Sequence, residues 1–258
     1  MRHRLLPVLF SLALAVGATP AAAQAPAIAA AADLSFALAE LAQIFKATTG
    51  REVRIAFGSS GNFTQQIENG APFELFLSAD ESYIERLAAQ RLTRDAGVLY
   101  AIGRIVLFVP KGSVLKPDPA LADLRAAIGD GRVKRFAIAN PEHAPYGRAA
   151  RETLQAAGLW DAIQPALVLG ENAAQATQFA TSGAAQGGII PLSLAKAPEV
   201  ARLGTAALLS DATHQPLRQR MALLPRAGPV AAEFYAWLQT KPARAVFVRY
   251  GFVLPGEA

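Results

Sequence analysis

Cysteine is absent from the 258 residues. That absence removes a disulfide framework, a thiolate metal site, a catalytic thiol and a lipid-bearing cysteine. Histidine is nearly as scarce, with only His3, His143 and His214. Neither of the last two stands in a metal-ligand spacing or beside a Gly-x-Ser-x-Gly elbow. There is no Walker loop and no dinucleotide fingerprint followed by an acidic residue. Charged residues make up 17% of the chain, 25 Lys and Arg against 20 Asp and Glu, scattered along its length. So mild a balance argues for neither a nucleic acid nor a membrane surface as partner. Beyond the N-terminal stretch, no apolar run reaches the eighteen or so residues that a transmembrane helix needs. Glu142-His143 comes nearest to a metal or acid–base pair, but without a second ligand pair it reads as a solvated loop. No cofactor is expected.

Met1-Arg2-His3-Arg4, an apolar run from Leu5 to Val16 and the small-residue end at Ala21-Ala22-Ala23 are present. A basic start, a short apolar stretch and an Ala-x-Ala end predict a secretory signal peptide over residues 1–23, cleaved near Ala23. About 235 residues would remain, soluble in a periplasm-like space, and the net charge of +5 would fall by the two arginines removed.

The rest alternates strand and helix. Ala27 to Ala32 is a short apolar run, after which Leu34, Leu38, Leu41, Ile44 and Phe45 recur at helical spacing until Gly50. Val53 to Phe57 and a helix from Asn62 to Asn69 repeat the plan, and Phe73 to Leu77 supplies a third strand before a helix from Glu81 to Gln90. A long apolar run, Arg104 to Pro110, separates these units from a second group. That group has strands at Phe136–Ala139, Leu167–Leu169 and Gly188–Ile190, with helices at Arg148–Ala157 and from Asn172 toward Ser182. A strand at Arg220–Leu224 and two helices close the chain. The fold class is α/β: two similar lobes, each a mostly parallel sheet flanked by helices, joined by crossing strands over a ligand cleft. The expected division is residues 24–103 for lobe 1, 104–195 for lobe 2 and 196–258 as a return segment, mostly on lobe 1 and partly on lobe 2.

Four strand-to-helix turns stand out: Ala32-Asp33, Ser59-Ser60-Gly61, Pro145-Tyr146-Gly147 and Asn172-Ala173-Ala174. First-turn N–H groups lack internal partners and carry partial positive charge, so such turns can hold an anion without lysine or arginine. The plain alternative is that Ser60 only caps its helix and Gly61 only relieves the turn. If the lobes face each other, the four N-termini and the Ser59, Ser60 and Tyr146 hydroxyls meet in one cleft suited to a compact oxyanion.

The same turns resemble a family, the periplasmic molybdate-binding proteins of ABC importers. Phe57-Gly58-Ser59-Ser60-Gly61, Gln66 to Phe73 and Leu77-Ser78-Ala79-Asp80 are similar to its first-lobe motifs. Asn140 to Gly147 is similar to its second-lobe motif, and Arg249-Tyr250-Gly251-Phe252 also fits. The resemblance implies a receptor for molybdate or tungstate, acting as a monomer, that delivers its anion to a membrane permease and performs no catalysis. It implies ligand contacts from Ser60 by hydroxyl and N–H, with Ser59 beside it, from Ala32 and Asp33 at the first helix start, from Tyr146 across the cleft, and from Ala174 or Ala173 by backbone. This chain departs from the pattern at Asp33, where many members have serine or asparagine, and at Pro191, where some have tyrosine. By that resemblance Tyr146 is expected to replace the hydroxyl missing at Pro191. A carboxylate about 4 Å from a dianion would cost roughly 8 kcal/mol at an effective dielectric of 20, so Asp33 is expected to turn its oxygens away and cap the helix. A receptor for sulfate or phosphate is the alternative within binding proteins, and an enzyme using Glu142 and His143 on a small anion the alternative outside them.

Overall fold

A computed structural model describes residues 25–256; the expected signal peptide lies outside the described residues. The chain runs β1 (Ala27–Ala31), α1 (Ser35–Thr49), β2 (Arg54–Gly58), α2 (Ser60–Glu68), β3 (Leu75–Ser78), α3 (Glu81–Ala89) and β4 (Val98–Gly103). It continues through β5 (Ile105–Pro110), α4 (Ala122–Gly129), β6 (Phe136–Ala139), α5 (Pro145–Ala156), α6 (Trp160–Ile163), β7 (Leu167–Gly170), α7 (Ala173–Thr181) and β8 (Gly187–Pro191). It ends with α8 (Leu192–Ala195), α9 (Pro198–Ala201), β9 (Gly204–Leu208), β10 (Leu217–Leu223), α10 (Pro229–Trp237) and α11 (Lys241–Arg249).

The strands of the described residues form two five-stranded sheets, ordered β2-β1-β3-β10-β4 and β7-β6-β8-β5-β9. In the first, β1, β2 and β3 are parallel and β10 runs against both β3 and β4. In the second, β6, β7 and β8 are parallel and β5 runs against both β8 and β9. Each sheet is thus mostly parallel, with one reversed strand. Strands covered on both faces read as continuous apolar runs, which is why Ile105–Pro110 and Leu75–Ser78 are buried throughout.

Each lobe has its own core. Phe45 of α1 meets Phe234 and Trp237 of α10 at ring-centroid distances of 5.0 and 5.6 Å, fastening the end of the chain to the first sheet. Burying a phenylalanine contributes roughly 1.5–3 kcal/mol. Leu107, Phe136, Ile138 and Leu154 are wholly buried in the second core.

The chain passes between sheets at Arg104 and again between β9 and β10. The sequence reading missed β4, β9 and α4. Val98–Gly103 and Ile105–Pro110 are both apolar and separated by one residue, so no turn signal shows that they belong to different sheets. A second correction concerns α2, which begins at Ser60 rather than Asn62. Its N-cap is Ser59, whose Oγ accepts the Asn62 N–H at 3.3 Å.

Candidate functional site

Between the sheets lies a small cavity of about 10 Å³, walled by Ala31, Ala32 and Asp33, by Gly58, Ser59 and Ser60, by Ala79, by Ala144, Pro145 and Tyr146, and by Ala173. Every segment is a turn from a strand into a helix, Ala79 included, which lies between β3 and α3; the N-termini of the Ala32–Leu34 3-10 turn, α2, α5 and α7 converge here. Ligands lie beyond the carboxyl ends of strands in such sheets because that is where helix N-termini gather. No lysine or arginine lines the cavity, and Asp33 is its one carboxyl group.

The first-turn amides of α2 are mostly taken. Gly61 N–H donates to the His143 carbonyl at 2.9 Å and Phe63 N–H to the Ser59 carbonyl at 3.1 Å. Asn62 N–H goes to the Ser59 side chain, which leaves the Ser60 N–H for an outside acceptor. Ser60 is fully buried, and its Oγ accepts the Ala79 N–H at 3.0 Å. With one lone pair so used, the Ser60 hydroxyl still has its proton to give. At α5, Pro145 has no N–H, while Gly147 and Arg148 donate to the Ala144 carbonyl; the Tyr146 N–H remains. At α7, Asn172 caps the Gln175 N–H at 3.1 Å, so the Ala173 and Ala174 amides remain. Ala173 lines the cavity, whereas Ala174 packs against the second-lobe core.

Asp33 does not cap a helix. No side-chain cap bond exists at the 3-10 turn or at α1. Its Oδ2 instead accepts Gln219 Nε2 at 2.7 Å. Gln219 is placed by an irregularity in β10, where the register with β4 shifts between Gln219 and Arg220; such bulges re-aim side chains. The same amide nitrogen donates to the Tyr146 hydroxyl at 3.0 Å, and the Tyr100 hydroxyl donates to Gln219 Oε1 at 2.7 Å. The Tyr146 hydroxyl thus accepts from Gln219, which fixes its place in this network. Gly103 permits the arrangement, since a Cβ there would strike the Tyr146 oxygen. Burial is the largest influence on Asp33 and raises its pKa to about 7, against lowering by hydrogen bonds from Gln219 and Tyr146. Burial, followed by the Asp33 charge, pushes Tyr146 well above the usual tyrosine range. Asp33 Oδ1 is buried and has no hydrogen-bond partner among the described residues.

Contacts across the cleft hold the lobes together. His143 Nδ1 pairs with Ser59 Oγ at 3.0 Å, Arg148 donates to Asp80 at 2.8 Å, and Ser193 Oγ donates to the Asp33 carbonyl at 2.8 Å. A Cβ at Gly61 would lie 2.7 Å from the His143 carbonyl oxygen, so glycine allows the loop to approach α2. His143 is thus an interlobe contact rather than part of a solvated pair, while Glu142 is exposed and bound to Arg151. Pro191 precedes α8 and does not line the cavity. Gln219 was missed by sequence reasoning, and nothing local in the sequence marks it. Among the described residues, no group of three His, Cys, Asp or Glu could hold a metal ion.

The profile of one family, bacterial extracellular solute-binding proteins, matches residues 27–253. The chain belongs to that family. Within it, the chain is 35% identical over 247 residues to the molybdate-binding protein ModA of Rhodobacter capsulatus, covering 94% of each. It is 30% identical to ModA of Escherichia coli strain K12, covering 87% of each. Among solved structures, the periplasmic molybdate-binding protein of Azotobacter vinelandii superposes with a TM-score of 0.80 at 29% identity, covering 89% of this chain and 99% of that one.

Proposed function

We propose that this solute-binding protein is a periplasmic receptor for molybdate or tungstate that works as a monomer and hands its anion to an ABC importer permease. The observation that carries the reading is the cation-free cavity at which four helix N-termini meet, on a chain 35% identical to a molybdate-binding protein. The donors are neutral: the Ser60 hydroxyl and N–H, and the amides at Ala32–Asp33, Tyr146 and Ala173. A hydrogen bond to a charged group contributes about 1.5–3 kcal/mol, so a handful of fixed donors replaces hydration without a counter-ion. Ser59, Ser60, Asp33, Tyr146 and Ala173 of the wall are all buried, so the lobes part to admit the anion and close upon it. No helix among the described residues is long and apolar enough to cross a membrane. No chemical step is assigned, because Glu142 and His143 both lie outside the cavity wall.

A thermal-shift panel of molybdate, tungstate, sulfate, phosphate and chromate tests the reading. Molybdate or tungstate at 100 times its dissociation constant adds roughly 2.7 kcal/mol of stability. A transition that moves with sulfate or phosphate alone would reassign the receptor, and one that moves with none would end the proposal.

A further inference from the structure

The cavity wall contains an element that a neutral anion site does not need, the Asp33 carboxyl group. It is 1% exposed, one oxygen is bound to Gln219, and the other is buried without a partner. A bare carboxylate in that position would repel any dianion held by the same helix N-termini. A carboxylic acid would instead present an O–H donor on Oδ1 and remove the repulsion. We propose that Asp33 binds a proton together with the anion, so that one proton enters the site with each dianion and is donated from Asp33 to an anion oxygen. The balance is one carboxylate, one proton and one dianion giving one carboxylic acid hydrogen-bonded to the dianion. The inference rests on the receptor reading above.

Burial favours the neutral acid and outweighs the hydrogen bonds from Gln219, Tyr146 and the Asp33 backbone, which favour the carboxylate. Titratable groups facing Asp33 are Tyr146 of α5 and Tyr100 of β4, both held protonated by burial. From β10 it meets Gln219, and from α8 Ser193 bonds its carbonyl. The neighbouring turns of β2 and α7 contribute Gly58 and Ala173 to the same wall. No lysine, arginine or histidine acts on its proton affinity. The sign follows from the empty-site pKa of about 7. Below that pH the acid is already formed, and affinity is flat. Above it the anion must bring a proton, and affinity falls about tenfold per pH unit, roughly 100-fold by pH 9.

Isothermal titration of the mature protein with molybdate from pH 6 to 9, in buffers of different ionisation enthalpy, counts the protons directly. The expected result is close to one proton taken up per anion at pH 8–9 and close to none at pH 6. Asp33→Asn, whose amide can occupy the same place, should bind with no proton uptake and no slope, and should exceed the wild type at pH 9. Wild-type binding that is flat with pH and takes up no proton overturns the proposal and leaves the receptor reading intact. Absence of molybdate binding at every pH overturns both.

Discussion

From the first lobe the cavity receives two serine side chains and a carboxyl group; from the second it receives Ala144, Pro145, Tyr146 and Ala173. Only Tyr146 of the second set has a polar side chain, and its hydroxyl is bound to Gln219. Apart from that tyrosine the second-lobe wall is alanine and proline, with backbone N–H at Tyr146 and Ala173, which lets it close tightly. The first-lobe wall holds the groups whose identity a substitution can change. Selectivity should respond to residues of the first lobe, and closure to residues at the seam.

The largest expected effect is on stability, at the one carboxyl in the wall. Asp33 titrates near pH 7 in the folded protein and near 4 when unfolded. Folding therefore takes up a proton between those values: the burial cost is absent below about pH 4, grows as pH rises, and is complete above about 7. Asp33→Asn should stabilise the anion-free protein by up to about 4 kcal/mol at pH 8 and hardly at all at pH 4, read by chemical denaturation. An equal gain at both pH values would contradict a buried ionisable Asp33.

Ser60→Ala comes next. It removes a hydroxyl donor and strands the buried Ala79 N–H, and molybdate affinity should fall by about 2 kcal/mol, roughly 30-fold. A loss no greater than that of Ser59→Ala, measured by the same titration, would move the principal contact to the capping serine. At the seam, Gly61→Val pushes on the His143 carbonyl and should weaken binding by about tenfold through incomplete closure, since overpacking costs roughly 1–3 kcal/mol. Small-angle scattering of the anion-loaded variant should then show a larger radius of gyration than the loaded wild type; an identical radius would refute the seam argument. Arg148→Ala breaks the partly exposed bridge to Asp80 without touching the Asp80 cap of α3. Its effect should be the smallest, under about 1 kcal/mol, seen as faster anion release in stopped-flow.

The Ser59-Ser60-Gly61 turn was legible because a strand, two hydroxyls, a glycine and a helix follow one another directly, and local order is what sequence records best. Sequence placed the cap one residue late, since either serine can reach a first-turn amide and only packing decides that Ser60 meets Ala79 instead. Asp33 was legible as a charge out of place, and its orientation was not. The residue that holds it, Gln219, lies 186 positions away on a strand whose register shift is invisible in the sequence. Tyr146 was legible as a hydroxyl near an N-terminus, but Gly103 and Gln219 determine where that hydroxyl goes.

By itself the sequence determined the alternation of strands and helices, the absence of thiol chemistry and thiolate metal sites, and the four turns able to hold an anion with neutral donors. Periodicity, composition and capping are properties of neighbouring residues. The tertiary structure alone decided that the turns share one cavity, that Arg104 divides two sheets, and that Asp33 is buried with one oxygen unanswered. Those outcomes depend on burial and on partners far apart in the chain, and the charge of a carboxyl group is set by how much water it has lost.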